Sequence, residues 1–122
     1  MSVDTEVLSP DLRHLEIHWE GSLGEAYRAH RHRWPPKLAL AAALVETGVG
    51  LHGLGRTVPS PVDLLLGDLC LARASRLLAN EAGRVVQIAF ARAIELAASA
   101  PTSGADLPMI RELLGRALEG AV

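Results

Sequence analysis

Apolar residues recur at helical spacing along most of the chain. Ser9-Pro10-Asp11 reads as an N-cap with proline at the first helical position, and Leu12, Leu15 and Trp19 follow three and four residues apart, predicting a helix that ends near Gly21. Ser22 with Glu25 three residues on has the spacing of a capping box. Leu23, Ala26, Tyr27 and His30 then share one face of a second helix that stops before Pro35-Pro36. From Lys37 to Leu51 the pattern changes. The segment is apolar on nearly every side, with Lys37, Glu46 and Thr47 its strongly polar residues, and a helix of that kind belongs in the middle of a bundle.

Gly53, Gly55, Pro59 and Pro61 interrupt the periodicity, and Ser60-Pro61-Val62-Asp63 opens the next helix, with an acidic residue near its positive end. That helix is predicted to reach Ala79. Asn80-Glu81 are placed to cap a further helix, whose stripe of Val85, Val86, Ala89, Phe90, Ala93, Ile94 and Ala97 runs until Pro101. Asp106 starts a last helix carrying Ile110, Leu113, Leu114, Ala117 and Leu118 and ending near Gly120. No segment alternates as a strand does. The expectation is an all-α fold, a compact bundle of five to six helices forming one domain over residues 1–122.

Composition sharpens this picture. Of the 122 residues 49% are hydrophobic and 3% aromatic, so the core must be built by close packing of alanine and leucine. A domain of this length buries roughly two thirds of its unfolded surface. The segments Leu38–Leu51 and Val62–Leu78 are apolar on more than one side, and the mean hydropathy is +0.22, so part of that surface is expected to meet a partner or a second copy. Twelve Lys and Arg against fourteen Asp and Glu, a net charge of −2, argue against binding along a nucleic-acid duplex. The single Cys70 cannot form an internal disulfide, and Met1–Glu6 is polar and acidic, unlike a secretion signal. The longest apolar run, Leu38–Val45, is too short for a hydrocarbon layer of about 30 Å. A cytoplasmic protein with no membrane span is expected.

Candidate chemistry is sparse. Gly48-Val49-Gly50-Leu51-His52-Gly53 fits GxGxxG, but it follows a helical run rather than a strand, so it reads as a helix exit or a close packing of small residues. His14 and His18 stand four apart on one helical face without a third metal ligand at motif spacing. Arg28, Arg31, Arg33 and Lys37, with Trp34 among them, form a basic cluster that reads either as a solvated helix end or as a diphosphate contact. There is no nucleophile elbow and no cysteine-histidine or serine-histidine signature, and Cys70 reads as a small core residue. Asp68, inside Leu64-Leu65-Leu66-Gly67-Asp68-Leu69-Cys70-Leu71, calls for a hydrogen bond or ion pair to a neighbouring helix if it is buried.

Two of these segments together, Ala41–His52 and Leu64–Ala74, resemble the trans-polyprenyl diphosphate synthases. In that family an apolar helix ends in a histidine followed by an aspartate-rich motif, and a later helix opens with an apolar run, Gly-Asp and an apolar continuation. The likeness is nearest to the small, non-catalytic subunit of the two-subunit hexaprenyl and heptaprenyl diphosphate synthases. It implies a truncated isoprenoid-synthase-like core over about 37–120, preceded by N-terminal helices over about 9–34, with Gly67 and Asp68 as structural motif residues.

The departures matter as much. In catalytic members the aspartates hold magnesium against a diphosphate. Here the matching positions read His52-Gly53-Leu54-Gly55-Arg56, and no Asp or Glu occurs between Glu46 and Asp63. The second aspartate-rich motif is missing, and Arg31, Arg33 and Pro35 only echo the family's basic segment for isopentenyl diphosphate.

The resemblance therefore implies an auxiliary subunit with no catalytic residue, cofactor or metal of its own. It would pair as a heterodimer with a large catalytic polyprenyl synthase subunit that carries the magnesium, and it would contact the growing prenyl chain, a precursor of quinone side chains such as that of menaquinone. Residual diphosphate contacts would fall to Arg28, Arg31, Arg33 or Arg56. Two alternatives stand beside it: a generic helical interaction or regulatory domain, and a degenerate isoprenoid-fold protein that binds a lipid or diphosphate alone.

Overall fold

The computed structural model describes residues 21–53, 58–98 and 107–119. They form five helices: α1 (Ser22–Arg31), α2 (Pro36–Leu51), α3 (Pro61–Glu81), α4 (Arg84–Ala98) and α5 (Leu107–Glu119). There is no strand among the described residues. The first expected helix, with His14 and His18, lies outside them up to residue 20, as do Leu54, Gly55, Arg56, Asp106 and Gly120.

The helix that is apolar all round is the one the others surround. Every residue of α2 from Leu38 to Val49 is buried. Pro36 starts it at a position where the missing N–H costs nothing. At its other end the His52 N–H bonds to the Gly48 carbonyl at 3.1 Å, and Gly53 turns the chain away at φ 79°, a left-handed conformation that glycine adopts without a Cβ clash. The GxGxxG pattern is thus a helical C-terminus, with Gly48 and Gly50 inside α2.

α1 and α3 pack on α2, α5 joins them from a third side, and α4 packs chiefly on α5. α3 turns a narrow stripe inward, Gly67, Cys70, Ala74 and Leu78, at helical spacing and of mostly small residues. The small side chains bring α3 close to α2: a Cβ at Gly67 would collide with the His52 ring and lie 3.0 Å from the Gly48 carbonyl oxygen. α4 and α5 contribute Val86, Phe90, Ile110, Leu114 and Leu118 to the same core.

Two capping expectations need correction. Ser22 and Glu25 do not form a capping box: the N-cap of α1 is Gly21, no side chain caps it, and the Glu25 carboxylate turns to Arg111 of α5, a stronger charged partner than a backbone N–H. Asn80-Glu81 do not cap α4 either, because α3 runs through them to Glu81, where Glu81 pairs with Lys37 at 3.2 Å. Ser60 does cap α3, accepting the Asp63 N–H at 3.1 Å, an interaction of about 1 kcal/mol.

Candidate functional site

The segments carrying the Gly-Asp and histidine motifs meet at the α2–α3 crossing. The crossing is tight on both sides, since a Cβ at Gly48 would stand 3.0 Å from the Leu71 side chain and 3.1 Å from the Gly67 carbonyl oxygen. His52 Nε2 lies 3.2 Å from the Leu64 carbonyl oxygen and 3.1 Å from Asp68 Oδ1. A carbonyl oxygen only accepts, so in the bond to Leu64 it is Nε2 that donates. Asp68 is exposed, its side chain 63% accessible. The pair ties the exit of α2 to the flank of α3 at the solvent boundary, where such contacts contribute at most about 1 kcal/mol.

A second polar cluster joins α1, α2 and α5. Glu46 is 5% exposed in the middle of the bundle. Arg111 grips it with two bonds, Nε to Oε1 at 3.0 Å and Nη2 to Oε2 at 2.8 Å, and His30 Nε2, itself buried, donates to Oε1 at 3.1 Å. Arg111 also reaches Glu25, with Nη1 to Oε1 at 2.9 Å. Burial pushes the Glu46 carboxyl up, but the bonds from His30 and Arg111 outweigh it and hold the group below the usual carboxylate range. The Arg111 bond likewise lowers Glu25, and the bonds to Glu46 and Glu25 raise Arg111.

Glu25, Glu46 and Arg111 form one side of a cavity of about 650 Å³, which Thr47, Asp63 and Pro108 also line. Glu46 accepts three hydrogen bonds through its two oxygens, one from His30 and two from Arg111, which join α1, α2 and α5 at one carboxylate. The cluster is a polar lock between helices. Periodicity marks Glu46 as an interruption of an apolar helix and places His30 on an apolar face. Nothing in it points to Arg111, whose role depends on a contact 65 residues away.

The basic residues do not converge on one point. Arg31 donates to the Trp34 carbonyl at 3.2 Å. Arg33 lies over the Trp34 ring, 5.3 Å from its centroid, and pairs with Glu119 at 3.4 Å, and Arg28 is half-buried. Cys70 is fully buried, and burial pushes its thiol up to about 12. Among the described residues no three His, Cys, Asp or Glu side chains are grouped so as to hold a metal ion, and no helix is long and apolar enough to cross a membrane.

The apolar surface left over is concentrated at the start of α3 and on α4. Val62, Leu64 and Leu65 are 63%, 45% and 68% exposed, and Val85 and Ile88 are 73% and 44% exposed. No protein family, curated protein or solved structure matches the chain.

Proposed function

We propose that this chain is the auxiliary, non-catalytic subunit of a heteromeric polyprenyl diphosphate synthase of the cytoplasm, pairing with a large catalytic subunit and helping to set prenyl chain length. The observation that carries the reading is the two-sidedness of α3. Its small-residue stripe faces α2, while Val62, Leu64 and Leu65 face outward, so the helix has one apolar side committed to its own core and another left for a partner.

The His52, Gly67 and Asp68 segments that resemble the synthases lie together at one helix crossing, which supports a common origin for that crossing. The absence of any carboxylate between Glu46 and Asp63 supports a division of labour in which magnesium and diphosphate ionisation fall to the large subunit. The test is co-expression with large-subunit candidates from the same genome, followed by co-purification and a prenyl-transfer assay. Product should form with both chains and not with this chain alone at any magnesium concentration. Turnover by the isolated chain, or no gain in activity from adding it to any large subunit, would remove the proposal.

A further inference from the structure

The outward side of the α4–α5 pair carries a groove of about 460 Å³, lined by Val85, Ile88 and Leu96 of α4 and by Leu113 of α5, with alanines of both helices between them. Arg92 and Arg116 are the charged residues on its lining. Arg116 is tied to Glu112 at 2.7 Å, whereas no described carboxylate pairs with Arg92. The groove is therefore apolar apart from two guanidinium groups, and Arg92, in the same row of α4 as Val85 and Leu96, is the one that no carboxylate neutralises among the described residues.

Its shape narrows the class of occupant. From Val85 to Leu96 the rise along α4 is about 16 Å, the length of three helical turns. The rim is open, with Val85 at 73% and Ile88 at 44% exposure, whereas a small-molecule pocket encloses most of its ligand. A shallow apolar trough of that length, with an unneutralised guanidinium midway along it, complements an amphipathic helix that carries carboxylates beside its apolar stripe.

We infer that the α4–α5 groove is a docking site for an acidic amphipathic helix of a partner protein. The inference stands without the auxiliary-subunit reading, which rests on the exposed residues of α3.

The probe is a fluorescent, hydrocarbon-stapled helical peptide with a leucine stripe flanked by glutamates, compared with a twin in which lysines replace the glutamates, both read by anisotropy against the full chain. The glutamate peptide should bind saturably and the twin about tenfold more weakly, with the gap closing at high salt. Ile88→Asp should remove binding of both peptides. Arg92→Glu should narrow or reverse the preference, and Leu65→Asp should leave it unchanged. Both groove positions are exposed, so helicity by circular dichroism should persist; if Ile88→Asp unfolds, Arg92→Glu decides alone.

Equal affinity for the two peptides, or binding indifferent to Arg92→Glu, would overturn the inference. So would no peptide binding together with self-association that Ile88→Asp dissolves, which would make the groove a contact between copies. Binding to phosphatidylglycerol vesicles in place of the peptide would overturn it too.

Discussion

Replacing Glu46 with alanine removes the centre of the polar lock, and its cost can be worked from the contacts. His30, 5% exposed, loses its acceptor, and a stranded buried donor costs about 1–3 kcal/mol. Arg111 loses two bonds but keeps Glu25, and with a side chain 34% exposed it regains water, so its share is about 1 kcal/mol. The helix-propensity gain of alanine and the relief of a buried charge offset part of this. A net loss of about 1–3 kcal/mol is expected.

For a domain of this size that lowers Tm by roughly 4–12 °C, read by circular dichroism and checked by urea titration. A cycle with Arg111→Met separates the pair from the site: Glu46→Met with Arg111→Met should cost less than the sum of the single changes, because the double variant strands no charge.

The acid side has a definite sign. Glu46 and Glu25 both titrate lower in the folded chain than the ordinary 4.5, so their contribution is present above pH 4.5 and is lost as pH falls through the depressed folded values. Glu46→Gln should flatten that acid limb. If Glu46→Ala melts within about a degree of the parent, or if the cycle is additive, the lock contributes nothing.

Other consequences are checked more simply. Leu65→Asp, on a side chain 68% exposed, should abolish pairing with a large subunit while leaving helicity and Tm nearly unchanged, and intact pairing would move the interface off α3. Gly67→Ala gains about 1 kcal/mol in helix propensity yet should still destabilise by about 1–2 kcal/mol, because its Cβ meets the His52 ring and the Gly48 carbonyl. The displaced His52 should show as shifted imidazole resonances. Cys70, buried with its thiol raised to about 12, should resist a disulfide reagent at neutral pH in the native chain and react fully after unfolding.

The helices were legible in the sequence because local signals agreed with burial. Pro36 and Ser60-Pro61 mark starts, Gly53 an exit, and the all-round apolarity of 38–49 predicts the centre of the bundle. Capping is less legible. A serine with a glutamate three residues on carries no information about a distant guanidinium, and Arg111 claimed that glutamate. Asp68, read as needing a partner if buried, is exposed, because the inward stripe of α3 is only one residue wide at Gly67 and its neighbour falls on the rim. Val85 sits in the apolar stripe by periodicity yet faces solvent, since period alone cannot say how wide a face the neighbouring helix covers.

The lock also imposes an order on the making of the protein. Glu46 is synthesised 65 residues before Arg111, a gap of roughly 3–13 s at ribosomal speeds of about 5–20 residues per second. Throughout that interval the nascent α2 carries a carboxylate destined for the interior with His30 as its one lock partner already made. Full burial of α2 waits on the arrival of α5, so a ribosome-bound chain that ends before Arg111 should remain open to protease around Glu46, while one that includes α5 should close.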